Sequence, residues 1–293
     1  MNQQTLKAPC LIYGKGIHSG KSTACSLLPA PVGTGILFRL NRDGRQVDIP
    51  AHSDYVVQTS LNTGVGRDGM VLGTIEHALA ALAGMQVDNA IILTHSEEIP
   101  IMDGSALAFV EKIEEVGLLE QAAPRKVLKI LKSVRVADGD KKAELQPAAK
   151  LSFSFELDYP VPDLGQQSLK LEITPESFVK EIAPARTFGF QEDLEYLQKR
   201  GQALGAGLDN AVGLNQAGEV LNPEGMRFPD ELVRHKILDA IGDLSLVGYP
   251  IQGAFVGVKS GHTMNQMLVH ALRDQPDHWK IVEQGNQPES KAI

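Results

Sequence analysis

The sequence predicts an α+β protein of two domains, and three observations lead there. The length of 293 residues divides, at roughly 150 residues per domain, into about two. Each half reads as strand-like runs first and helical runs later, the order of a layered sheet-and-helix domain. The halves also echo each other: Glu76-His77-Ala78-Leu79 and Arg234-His235-Lys236-Ile237 both set a histidine at the head of an apolar helix that a strand follows. If that echo is a repeat, a site between two similar domains is its natural place.

In chain order, the first half opens with strand-like runs at 9–13, 22–28 and 33–40, separated by Gly, Pro and Ser turns. Residues 74–84 read as a helix, with Thr74 as N-cap, alanine and leucine favouring helix, and Gly84 as the stop. A buried strand is expected at 87–94 and a second helix at 105–116. The segment Glu-Gln-Ala-Ala-Pro-Arg at 120–125 reads as a linker between domains at 1–122 and 126–285. Strand-like runs resume at 127–131, 143–145 and 151–155. Helices are expected at 175–182, 191–200 and 231–246, a strand at 252–258, then a helix after Lys259-Ser260-Gly261-His262. The polar tail at 284–292 is expected to be poorly ordered.

Composition narrows the function. Hydrophobic residues at 43% and charged residues at 22% describe a folded protein, not a low-complexity chain. With 28 Lys and Arg against 36 Asp and Glu, the net charge is −8, which argues against a protein that grips nucleic-acid phosphates. A local basic pocket for one phosphorylated ligand is still compatible with it. Cys10 and Cys25 form neither a disulfide framework nor a zinc-finger spacing. Residues 1–12 lack the pattern of a secretory signal, and no run approaches the roughly 20 apolar residues of a membrane helix. A soluble, cytoplasmic protein is expected.

The segment from Arg234 to Leu244 is the most informative for chemistry. His235, Asp239 and Asp243 stand at i, i+4 and i+8, so a helix presents them along one face. Carboxylates in an apolar setting cost several kcal/mol unless paired or bound to metal. A His and an Asp one turn apart can reach one zinc ion, and His77 offers a third ligand, leaving a position open for water. Glu76 beside it can take a proton from that water. Taken alone, a solvated polar face and an ordinary helix start are the plainer readings of these two segments.

His262 sits at a turn between strand and helix, where a carboxylate such as Asp243 would keep it protonated as a general acid. In Pro184-Ala185-Arg186-Thr187-Phe188-Gly189-Phe190, Thr187 can donate to a developing oxyanion and Phe188 can pack a ligand; a turn anchored by two buried phenylalanines is the plainer reading. Gly14-Lys15-Gly16-Ile17-His18-Ser19-Gly20-Lys21-Ser22 superficially suggests a phosphate loop but has Lys15 where that motif needs glycine. The Glu97 and Glu98 carboxylates of His95-Ser96-Glu97-Glu98 are expected to be solvated.

Together with Glu98-Ile99-Pro100-Ile101-Met102-Asp103-Gly104-Ser105, these blocks resemble one family over nearly the whole chain: the zinc-dependent UDP-3-O-acyl-N-acetylglucosamine deacetylases of lipid A biosynthesis in Gram-negative bacteria. The resemblance implies two α+β domains, each a sheet with helices on one side, enclosing the active site between their helical layers. It implies one catalytic Zn2+ on His77, His235 and Asp239, with Glu76 as general base. His262 would be the protonated partner oriented by Asp243, and Thr187 would support the oxyanion. Phe188 would contact substrate and Lys236 would meet the diphosphate. Leu194 and the 203–208 stretch, including Gly207, would border the acyl chain. The implied partner is a UDP-linked acylated amino sugar, handled by a monomer with at most transient membrane-surface contact and no nucleic acid. One departure stands out: Asn62 occupies a position where some members carry a cysteine near the metal, which puts thiol-dependent metal sensitivity in doubt. A zinc amidohydrolase for another acylated amine and a catalytically silent binding protein are the competing expectations; intact Glu76, His77, His235, Asp239 and His262 speak against the latter.

Overall fold

The computed structural model describes residues 1–159, 161 and 164–284; the tail expected at 284–292 lies, beyond Gln284, outside the described residues. The first half comprises β1 (Asn2–Leu6), β2 (Cys10–Lys15), β3 (Ser22–Pro29), β4 (Ile36–Arg42), β5 (Arg45–Pro50), a small antiparallel sheet of β6 (Val56–Gln58), β7 (Gly64–Arg67) and β8 (Met70–Leu72), then α1 (Glu76–Gly84), β9 (Ala90–Thr94) and α2 (Leu107–Val116). Its main sheet runs β2-β3-β9-β4-β5, with β9 antiparallel to β3 and parallel to β4. Period-two alternation turns Thr23, Cys25 and Leu27 of β3 and Ala90, Ile92 and Thr94 of β9 to the core.

The second half comprises β10 (Leu118–Pro124), β11 (Lys126–Ile130), β12 (Val134–Asp138), β13 (Lys141–Gln146), β14 (Ser152–Asp158), β15 (Gln166–Glu172), α3 (Pro175–Ser177) running into a π turn at Phe178–Ile182, β16 (Phe188–Phe190), α4 (Gln191–Lys199), β17 (Val212–Leu214), α5 (Glu231–Ser245), β18 (Ile251–Gln252), β19 (Ala254–Val258), α6 (His262–Arg273) and β20 (Trp279–Glu283). Its main sheet runs β12-β13-β19-β14-β15, with β19 antiparallel to β13 and parallel to β14. That is the strand order of the first half. In each half the middle strand is the last to enter and lies between two helices, α1 and α2 or α5 and α6. The faint sequence echo at His77 and His235 therefore marks equivalent helices of a repeated architecture. Those helices, α1 and α5, pack on each other, so the helical layers of the two units meet at the centre.

Four expectations change. The segment at 120–125 is not a linker: β10 pairs antiparallel with β1, Leu6 opposite Leu118 and Thr5 opposite Leu119, and Arg125 is buried on Asp88 at 2.8 Å. Its pairing partner lies more than a hundred residues away, so no local pattern announces it. Thr74 does not cap α1; Ile75 holds that position without a side-chain bond, and Thr74 stands at φ 56°. Gly84 is the last helical residue, not a left-handed stop, and the Phe178 ring fills the space a side chain would need. The expected helix at 175–182 is one capped helical turn that widens into the π turn. β15 escaped notice because Gln166–Glu172 is an edge strand whose apolar residues, Leu169 and Leu171, are only half-buried among polar ones. Among the described residues no helix is long and apolar enough to cross a membrane.

Candidate active site

The stripe on α5 is buried. His235, Asp239 and Asp243 are 1%, 3% and 0% exposed, which rules out a solvated face. The first turn of α1 brings His77 to the same place: its Nε2 lies 3.6 Å from Asp239 Oδ1, and His235 Nε2 lies 3.3 Å from that oxygen. One donor atom from each of the three residues falls within 4.8 Å of the others. His235 Nδ1 donates to the Ala185 carbonyl at 3.1 Å, which fixes the ring with its Nε2 turned toward the carboxylate. Burial lowers the His77 pKa, which favours the neutral ligand form. Burial alone would raise Asp239, yet the charges of His235 and Lys236 hold it well below the usual range. Two buried imidazole nitrogens and an ionised carboxylate oxygen form a donor set that fits a divalent metal ion.

Beside this cluster lies an acid–base pair. Glu76, buried at the start of α1, has Oε1 4.0 Å from His262 Nε2. The other ring nitrogen, Nδ1, donates to Asp243 Oδ2 at 2.9 Å. Burial lifts Glu76 to about 8 despite the neighbouring imidazolium. For His262 burial acts downward, but the charge and hydrogen bond of Asp243 overcome it and raise the group to about 9. Asp243 is held in turn by Thr63 Oγ1 at 2.6 Å and Asn265 Nδ2 at 2.8 Å, and Thr63 N donates to Glu76 Oε2 at 3.1 Å. Three clustered donors that could hold a metal ion, beside a buried carboxylate and a histidine raised to about 9, are a combination that suits hydrolysis of an amide or ester.

The model of the LpxC family, UDP-3-O-acyl N-acetylglycosamine deacetylase, matches residues 3–274. The chain belongs to this family. Curated UDP-3-O-acyl-N-acetylglucosamine deacetylases include one from Myxococcus xanthus, 47% identical over 281 residues, covering 96% of this chain and 89% of that protein. Others from Shewanella violacea and Shewanella sp. are 46% identical over 283 residues, covering 96% of this chain and 92% of theirs.

Around the LpxC-family core, the remaining predicted residues take varied places. Lys236 Nζ bonds Asp239 Oδ2 at 2.8 Å and lies 5.4 Å from the centre of the Phe188 ring, which also meets His235 edge-on. Thr187 is fixed through its backbone, its N–H on Gly104 O and its carbonyl accepting from Val212 N, each at 2.7 Å. The turn at 184–190 is not anchored by buried phenylalanines: Phe188 and Phe190 are only half-buried. Arg186 anchors it, donating through Nε to Glu231 Oε1 at 2.9 Å, with Glu231 fully buried. Leu194 is half-buried on α4. The 203–208 stretch lies on the 16–20 loop, Leu204 N on His18 O and Gly205 N on Ile17 O, while Gly207 N is held by Asn210. Among the described residues, Thr187, Leu194 and Gly207 share no hydrogen bond or ion pair with His77, His235 or Asp239.

Glu98 is also corrected. It is buried, not solvated, and accepts from His18 N, Ser19 N, Ser19 Oγ and Thr74 Oγ1 at 2.8–3.0 Å. The glycine-rich run before β3 is thus a loop wrapped round a carboxylate, with no phosphate-loop helix behind it. Sequence reasoning also missed Thr63, which no motif flagged, and Asn265, whose spacing three residues after His262 on α6 puts it on the same face. A cavity of about 920 Å³ lies elsewhere: Leu79, Ala83, Ile241 and Leu244 line it, and none of the predicted site residues does.

Proposed function

We propose that this protein hydrolyses the N-acetyl group of UDP-3-O-(3-hydroxyacyl)-N-acetylglucosamine, releasing acetate and UDP-3-O-acyl-glucosamine, an early committed step of lipid A biosynthesis. The observation that carries the reading is the buried His77, His235 and Asp239 cluster with Glu76 and His262 facing each other beside it. A single Zn2+ held by these three residues supplies a Lewis acid for the acetamide carbonyl and lowers the pKa of water.

Glu76 takes the proton as the water oxygen bonds to the carbonyl carbon. Thr187 donates its hydroxyl to the oxyanion as negative charge gathers there. His262, oriented by Asp243, gives its Nε2 proton to the nitrogen as the carbon–nitrogen bond breaks, so the sugar amine departs neutral. Lys236 carries its charge toward the diphosphate, and Phe188 packs against the sugar. Leu194 and Gly207 border the acyl chain. The protein works as a cytoplasmic monomer that touches the membrane surface only while it exchanges its lipid-bearing substrate. Asn62, in place of a thiol, frees the site from any thiol-dependent response to metal.

The test is acetate release by metal-stripped protein with and without about one equivalent of Zn2+. Zinc-restored turnover on the UDP-linked acylated sugar supports the assignment. Turnover restored only on acylated amines lacking the UDP group or the acyl chain would instead make the protein a zinc amidohydrolase of other specificity.

A further inference from the structure

The two buried carboxylates of the acid–base pair belong to different halves of the molecule, Glu76 to α1 and Asp243 to α5. One residue that belongs to neither helix touches both. Thr63 precedes β7, is wholly buried, and donates its backbone N–H to Glu76 Oε2 at 3.1 Å and its hydroxyl to Asp243 Oδ1 at 2.6 Å. His262 takes the remaining oxygens, Nδ1 on Asp243 Oδ2 at 2.9 Å and Nε2 facing Glu76 Oε1 at 4.0 Å. Glu76, Thr63, Asp243 and His262 therefore close a ring in which each carboxylate gives one oxygen to the threonine and the other to the histidine.

We infer that Thr63 is a positioning residue for the acid–base pair: it fixes the rotation of both carboxylates, so that Oε1 of Glu76 and the His262 ring face the same reacting atoms. The inference rests on the proposed hydrolysis and adds a residue to it. A carboxylate can turn about its terminal bond, because that torsion is broad and roughly two-fold. A buried carboxylate oxygen without a partner is costly, so donors select the rotation. Asp243 accepts two bonds on Oδ2, from His262 and Asn265, but on Oδ1 its side-chain donor is Thr63. Removing that donor leaves a charged oxygen unsatisfied and lets the carboxylate turn, taking the imidazole with it. The threonine carbonyl accepts from Ile75 N at 3.2 Å, and the adjoining Asn62 is anchored by its Nδ2 on Thr74 Oγ1 at 2.9 Å, with Thr74 Oγ1 on Glu98 at 3.0 Å.

The experiment compares Thr63→Val, which keeps shape and backbone N–H but deletes the hydroxyl, with Thr63→Ser, which keeps the hydroxyl. In zinc-loaded protein, Thr63→Val is expected to lower kcat by about 10- to 100-fold with KM within about three-fold and one metal ion retained, the pattern of a lost transition-state alignment. Thr63→Ser should recover most of kcat. In parallel, the His262 Nδ1 proton resonance should persist in the wild type and in Thr63→Ser, and exchange away in Thr63→Val. That signal needs no substrate, so it tests Thr63 even if the proposed substrate is wrong, whereas a wild type without acetate release would sink the substrate assignment alone. Wild-type kcat with an intact Nδ1 signal in Thr63→Val overturns the inference. So does equal damage in Thr63→Ser, which would mean the methyl group and packing matter instead. Should Thr63→Val not fold, Thr63→Ala replaces it in the same comparison.

Discussion

Gly242 of α5 lies directly against the backbone carbonyl of Glu76 at the first turn of α1: a Cβ at 242 would fall well inside 3.0 Å of that oxygen, nearer than real Cβ atoms approach. The contact sets how closely the two helices meet, and α1 brings Glu76 and His77 while α5 brings His235 and Asp239. Gly242→Ala is therefore expected to cost about 1–3 kcal/mol by overpacking and to weaken metal retention, because it pushes one ligand away from the other two. Thermal unfolding and metal stoichiometry after dialysis check this. Unchanged metal content would show that the helices can shift without opening the cluster.

Glu76→Gln keeps the size of the side chain and an acceptor for Thr63 N, but cannot take a proton. Metal binding should survive, since Glu76 is not among the three clustered ligands. Turnover should fall by about 10²- to 10⁴-fold, the usual contribution of a general base. Acetate release beside a metal assay separates the two effects, and full activity would remove the base assignment.

The pH dependence follows from opposite requirements. In the proposed hydrolysis Glu76 must be ionised, yet burial lifts it to about 8 even with the His262 cation beside it. His262 must be protonated, and Asp243 keeps it so up to about 9. A bell-shaped kcat/KM profile follows, its acid limb set by Glu76 and its alkaline limb by His262. Asp243→Asn removes the charge that opposes burial, so the His262 pKa falls and the alkaline limb moves to lower pH; the same charge also raises Glu76, so the acid limb shifts the same way. An alkaline limb that does not move would mean that another group titrates there.

A buried ion pair anchors the loop that presents Thr187 and Phe188. Glu231 accepts from Arg186 N, Nε and Nη2 and from Arg227 N at 2.6–3.2 Å, with no exposure to water. Glu231→Ala should destabilise by about 3–5 kcal/mol, because it leaves a buried guanidinium partly uncompensated. It should also loosen Ala185, whose carbonyl orients His235. Urea unfolding of the metal-loaded protein measures the loss, and a change under about 1 kcal/mol would mean that Glu224 and the Gly225 carbonyl hold Arg186 unaided.

Much was legible in the sequence because it was local. The 3.6-residue period put His235, Asp239 and Asp243 on one helix face, and the matching histidine-headed helix at His77 marked the repeat. Alternation and turn residues placed the core strands of both sheets. Local pattern thus placed the long helices and the chemical groups that each presents, though not the short turn at 175–182. It did not determine which of those groups are dry, or which meet. Tertiary structure alone decided that Glu98 would be buried under a loop, that Pro124 would end a strand paired with the N-terminus, and that Arg186 would find Glu231. Above all it decided that Thr63 would reach Glu76 and Asp243, residues 13 and 180 positions away. The physical reason is the same each time: propensity and periodicity act over a few residues, whereas burial and hydrogen-bond pairing depend on segments that come together only when the two sheets have folded and α1 has met α5.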